Sequence, residues 1–196
     1  MRTAIFDLET SGFYADSNVL LCAVIREYEY PLKSGKYVKR TVLRGDEVIP
    51  NWSKKRSNDK ALIEAVLREL EQYDVLVAHN GQYFDKAFLN AKCLEHGFSR
   101  EVAALKRKKF IDPVLLARKH LKLGRNTLAA IIDYFQIPVK KTPLELSAWR
   151  KAAFDGDMQA MNLIVDHCIP DVDSLALVYD RMRPLIEKVD NRGSSL

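Results

Sequence analysis

The residues best equipped for chemistry stand near the start of the chain, in Phe6-Asp7-Leu8-Glu9-Thr10-Ser11. Residues 1–8 are apolar and β-prone, and they read as a strand. Alternate strand residues project to one face about 6.5 Å apart. Asp7 and Glu9 therefore share a face, while Phe6 and Leu8 point the other way into apolar packing. Two carboxylates side by side at the end of a buried strand repel each other and are costly to desolvate. A divalent cation between them is the economical solution.

Two further places carry matching chemistry. His79-Asn80-Gly81-Gln82-Tyr83-Phe84-Asp85 follows a short apolar strand. Strand ends with glycine turns are where α/β sheets place ligand sites. Asp85 falls in the first turn of the next helix, where a carboxylate is also favoured by the helix dipole alone. In His167-Cys168-Ile169-Pro170-Asp171, helical spacing puts His167 and Asp171 on one face. A metal-holding carboxylate beside a proton acceptor suits metal-assisted hydrolysis; the plainer reading is a surface or capping pair. Asp166 and Asp173 lie close by, and Asp173 points elsewhere on the helix.

These residues need a scaffold, and the apolar pattern supplies one. Residues 17–30 read as a second strand, Lys33-Ser34-Gly35-Lys36 as a turn, and residues 37–43 as a third strand, forming an antiparallel meander. Residues 50–59 look like a loop. Asn58 or Asp59 is placed to cap a helix running to Tyr73, with Leu62, Ile63, Val66, Leu67 and Leu70 on one face. Strands are expected at 74–78 and 109–112. Helices are expected at 84–96 (stopped by Gly97), 113–121, 127–135, 144–154 and 157–182, the last kinked or broken at Pro170. Residues 191–196 look like a tail. Strands leading into strand–helix alternation indicate one α/β domain over residues 1–190, with a mixed central sheet of about five strands flanked by helices.

Composition narrows the classes. At 196 residues with 47% apolar content, the chain suits a single domain with a substantial core. No apolar run approaches the roughly 20 residues that span a bilayer, and no signal peptide is visible, so no membrane partner is expected. Cys22, Cys93 and Cys168 form neither a zinc pattern nor a disulfide framework. They read as inert core thiols in a reducing, cytoplasmic setting. The net charge is +5. Local basic clusters occur at Lys54-Lys55-Arg56, Arg107-Lys108-Lys109, Arg118-Lys119-His120 and Lys140-Lys141, which favours a polyanionic partner.

Taken in order, Asp-x-Glu on a strand, Asn-x4-Asp after a later strand, and a helical proton acceptor four residues before Asp resemble the DEDD (DnaQ-like) 3′–5′ exonuclease superfamily, which has an RNase H-like three-layer fold. The segments Phe110-Ile111-Asp112-Pro113, Leu128 to Ile137 and Gly156-Asp157 extend the resemblance over residues 1–180. The superfamily divides into a branch with Tyr four residues before the last Asp and one with His five residues before it. Here His167 stands at the Tyr spacing.

The resemblance implies that Asp7, Glu9, Asp85 and Asp171 hold two divalent cations, Mg²⁺ or Mn²⁺, with Asp7 bridging them. It implies that His167 orients or deprotonates the attacking water. It further implies that backbone amides at Leu8 to Thr10, with Asn80 and Phe84, seat the terminal nucleotide. Phe13, Tyr14 and Tyr83 are candidate stacking surfaces. The expected substrates are 3′ ends of single-stranded DNA or RNA, cut to nucleoside 5′-monophosphates. A non-catalytic nucleic-acid-binding module, a ribonuclease, or a proofreading subunit with a separate replication or repair partner are the alternatives.

Overall fold

The computed structural model describes residues 1–30, 38–55, 57–139, 144–145 and 147–190. The expected turn at Lys33 to Lys36, Tyr37 at the head of the third strand, Arg56, Lys140-Lys141 and the 191–196 tail lie outside the described residues.

The meander forms as the apolar alternation requires. Strands β1 (Thr3–Thr10), β2 (Leu20–Tyr28) and β3 (Arg40–Arg44) pair antiparallel in succession. Two short helical turns follow, α1 (Gly45–Val48) and α2 (Trp52–Lys55), the second inside the segment expected to be loop. Trp52 is buried against Gly45, where a Cβ would meet the indole at 2.6 Å, so packing gives this polar stretch its shape. Helix α3 (Lys60–Glu71) buries the five predicted apolar residues. Of its two candidate caps, Asn58 serves and Asp59 does not. The Asp59 side chain turns inward, accepting from Leu20 N at 2.8 Å and meeting His96 Nε2 at 2.7 Å. Asn58 Oδ1 takes the Lys60 N–H instead.

Strand β4 (Val75–Val77) pairs parallel to β1, and β5 (Lys109–Ile111) parallel to β4, giving a mixed sheet in the order β3-β2-β1-β4-β5. Between them lie α4 (Asp85–His96), ended by Gly97 at φ 82°, and α5 (Ser99–Arg107). Helix α5 is an element that the sequence pattern does not predict. It is a short helix whose buried Leu105 and half-buried Val102 pack on the core. Helices α6 (Pro113–His120) and α7 (Leu128–Tyr134) follow, started by Asp112 and Thr127 caps. The expected 144–154 helix is instead a short α8 (Ser147–Arg150) running into a π-helical turn, Lys151–Asp155.

Helix α9 (Met158–Asp190) is continuous through Pro170 and Pro184, so of the kink or break expected at Pro170 the break does not occur. Residues on both sides of Pro170 are locked into packing: Met161, Ile164 and Val165 before it, Val172, Leu175 and Ala176 after it. Proline removes one helical donor, but the Pro170 carbonyl still accepts from Ser174 Oγ at 2.5 Å. Ala4, Phe6 and Leu8 face the core under α3 and α4, and Ile5 faces the core under α9, so helices cover both sides of the sheet. This is the three-layer RNase H-like arrangement. No helix among the described residues is long and apolar enough to cross a membrane.

Candidate metal centre

Asp7 and Glu9 sit on β1, the central strand of the sheet. They continue the face of Ile5, which packs on α9, so their side chains point at the helix that carries Asp171. The β1–β2 register shifts between Glu9 and Thr10, a bulge that turns the strand end at the site. On the other side of β1, pairing with β4 stops at Ile5–Val77. The Leu8 N–H beyond that point has no strand to bond. Asp85, 1% exposed at the start of α4, fills the gap: its Oδ1 accepts from Leu8 N at 3.1 Å.

The structure therefore brings Asp7, Glu9, Asp85 and Asp171 into one electrostatic group. Burial, then Glu9 and Asp171, hold the Asp7 carboxyl well above the usual carboxylate range. Burial, then Asp7, does the same to Asp85. Glu9 is pushed up to about 7 by burial, with Asp171 and Asp85 adding to the shift and a hydrogen bond from Trp149 opposing it. Asp171 is raised by burial, against the opposing pull of His167. Among the described residues no Lys or Arg pairs with any of the four. Other buried carboxylates are satisfied: Asp59 has Leu20 N, His96 and Lys92, and Asp112 accepts from Asn80, Gln82 and Val114 N–H groups. The unneutralised group stands apart, and its oxygen donors suit a hard divalent cation.

His167 Nε2 lies 3.7 Å from Asp171 Oδ2, on the same face of α9 as the i,i+4 spacing predicts. Asp173 is elsewhere, paired with Arg40 at 2.5 Å and Arg26 at 3.3 Å. Asp166 is exposed.

Two side chains at the site were missed from sequence. Trp149 Nε1 donates to Glu9 Oε2 at 2.6 Å, and its ring meets the His167 ring edge-on at 6.3 Å. Cys168 Sγ lies 3.4 Å from Asp7 Oδ2 and contacts Cys22. That contact, burial and Asp7 keep its thiol well above its ordinary pKa. Donor atoms of Asp7, Glu9 and Cys168 all lie within 4.8 Å of one another. Neither was legible: Trp149 is distant in sequence, and Cys168 sits inside a helix pattern that also fits an inert core thiol.

Leu8, Thr10 and Phe84 line a cavity of about 290 Å³ together with Glu9, Phe13 and Trp149. Phe13, 83% exposed, meets Phe84 edge-on at 6.3 Å. The Leu8 amide is already committed to Asp85, and the Leu8 side chain is buried in the core. Asn80 does not line this cavity. It is exposed and left-handed at φ 59° in the turn before α4. Gly81 follows, where a Cβ would lie 2.3 Å from that of Ala78. Tyr14 and Tyr83 are exposed outside the cavity.

No curated protein matches the chain in sequence. Among solved structures, the fold is similar to that of the family B DNA polymerase from the hyperthermophilic archaeon Pyrobaculum calidifontis. The TM-score is 0.67 at 14% identity, over 93% of this chain and 24% of that one. The likeness is one of fold, and this chain spans about a quarter of the polymerase's length. The RNase_H superfamily profile matches residues 4–183, from the first residues of β1 to deep inside α9, and so takes in all four carboxylates. With the mixed five-stranded sheet and its flanking helices, that match places the chain in the RNase_H superfamily.

Proposed function

We propose that this chain is a metal-dependent 3′–5′ exonuclease that releases nucleoside 5′-monophosphates from single-stranded DNA or RNA. One observation carries the reading: burial holds Asp7, Glu9, Asp85 and Asp171 above the ordinary carboxylate range, acidic neighbours within the group add to this for the first three, and no Lys or Arg stands beside them among the described residues. These residues would hold two divalent cations, Mg²⁺ or Mn²⁺. When bound, such ions activate the attacking water and offset charge on the attacking and leaving oxygens.

The chain's own groups would do the rest. His167, beside Asp171, accepts or orients the proton of the incoming water, a task suited to an imidazole. The aromatic cavity of Phe13, Phe84 and Trp149 opens directly onto Glu9 and has the apolar walls a terminal base needs. Thr10 lines the same cavity, and Asn80 stands at the neighbouring turn.

One assay tests the reading. Single-stranded DNA and RNA labelled at the 3′ or 5′ end are incubated with Mg²⁺, Mn²⁺ or chelator. The expected result is mononucleotide release from the 3′ end, abolished by chelator. Release from the 5′ end, or none with either metal, overturns it. The likeness to a DNA polymerase fold supports a more specific second reading, a proofreading nuclease acting beside a separate polymerase. That reading requires faster removal of a mismatched than of a matched 3′ nucleotide.

A further inference from the structure

Residues 113–132 contain no Asp or Glu, yet carry Arg118, Lys119, His120, Lys122 and Arg125. All five are exposed, and none has a side-chain partner among the described residues. Cations at the opposite edge of the sheet behave differently. On and before β3, Lys39 is paired with Glu69, Arg40 with Asp173 and Arg44 with Asp46. Arg118, Lys119 and His120 occupy the last turn of α6, where cations offset the helix dipole. Lys122 and Arg125 lie beyond that helix and gain nothing from it. Lys122 also adopts φ 52°, a left-handed backbone that favours glycine.

This segment is tied to the candidate site. Helix α6 starts at Asp112, which also accepts the Asn80 and Gln82 N–H groups of the turn before α4. The loop after α6 returns to that turn, where the Asn126 carbonyl meets His79 Nε2 at 3.1 Å. His79 precedes Asn80 and follows β4 at the carboxylate end of the sheet. The basic residues therefore occupy the last turn of α6 and the loop that leads from it back to the turn at His79.

We propose that Arg118 to Arg125 form a track for the phosphodiester backbone of a polynucleotide whose 3′ end lies in the carboxylate site. The proposal rests on the nuclease reading for its polarity, and its binding partner follows from the cations themselves. Unpaired, closely spaced cations on an acid-free segment attract a polyanion through counterion release. The track makes the protein one that grips a strand and not only its last residue.

The test measures binding in chelator, where hydrolysis plays no part. A fluorescein-labelled single-stranded 20-mer of DNA, and one of RNA, is titrated by anisotropy across a salt series. The proteins are wild type, the triple variant Lys119→Gln/Lys122→Gln/Arg125→Gln, and a control with equal charge removed elsewhere, Lys54→Gln/Lys55→Gln/Lys106→Gln. The triple variant should bind about tenfold or more weakly, with a salt slope smaller by about 2, while the control stays near wild type. Circular dichroism checks that both variants fold. Equal weakening by the control, unchanged binding by the triple variant, or no binding by wild type overturns the track. Wild type that binds through the track but hydrolyses nothing with Mg²⁺ or Mn²⁺ overturns the exonuclease reading and leaves the track standing.

Discussion

The indole Nε1 of Trp149 donates to Oε2 of Glu9 at 2.6 Å, joining α8 to the central strand of the sheet. This donor is the main influence holding the Glu9 pKa down against burial and its acidic neighbours. Trp149→Phe keeps the ring and removes the N–H, so Glu9 should hold its proton to higher pH. Mn²⁺ affinity at pH 7 is expected to fall about tenfold, the effect of roughly 1.4 kcal/mol, and the gap should narrow by pH 8.5. Calorimetric titration at the two pH values checks this; a loss that does not change with pH would assign Trp149 a packing role only.

Burial, Glu9 and Asp171 all hold the Asp7 carboxyl above its ordinary range. Asp7→Ala should abolish hydrolysis while leaving the fold intact. The isosteric Asp7→Asn should do the same and stabilise the metal-free protein at pH 8, raising Tm by about 3 °C for each kcal/mol of relieved repulsion. Retained activity in either variant, measured on a labelled single strand, would sink the assignment.

The same repulsion makes stability depend on pH in the absence of metal. The four carboxyls have folded pKa values above their unfolded ones, so the folded chain binds more protons. That contribution is fully present below the ordinary carboxylate range, near pH 4, and is lost as pH rises through the folded values, about 7 for Glu9. Glu9 alone accounts for on the order of 2–3 kcal/mol. In chelator, Tm should be lower at pH 8 than at pH 5.5, and Mn²⁺ should restore it at pH 8. Scanning calorimetry reads both; a Tm independent of metal at pH 8 contradicts the metal centre.

His167 separates proton handling from metal holding. His167→Ala should slow turnover about a hundredfold with Mn²⁺ affinity unchanged. Loss of metal in this variant would make His167 a ligand or a packing residue.

Cys168 adds a sulfur to the acidic group. Soft cations favour thiolate, so Cd²⁺ should inhibit the Mg²⁺-supported reaction by binding Asp7, Glu9 and Cys168. Cys168→Ala should keep activity and lose most of this inhibition. Equal Cd²⁺ sensitivity in both proteins would show that the thiol takes no part.

Much of this arrangement was written in local pattern. Alternation in β1 set Asp7 and Glu9 on one face, and helical spacing set His167 against Asp171. The five apolar residues of α3 and the Gly97 stop of α4 were read the same way, because each depends on neighbours a few residues away. What local pattern does not contain is contact between distant segments. Trp149 reaches Glu9, Cys168 reaches Asp7, and Asp59 turns from its cap toward Leu20 and His96, all through tertiary packing. Pro170 is the converse case. Proline alone predicts a kink or a break, and packing along both halves of α9 keeps the helix unbroken.

The early end of β4 has a consequence for how such a site can be lost or transplanted. Two more residues of parallel pairing would give the Leu8 N–H a strand carbonyl and evict Asp85 from its place. The sheet would become more regular and the acidic cluster would lose a member. An insertion that lengthens β4 is thus expected to yield a sturdier but inert protein. Conversely, shortening one parallel strand beside a central one is a way for a designer to open a berth for a carboxylate in an otherwise closed sheet.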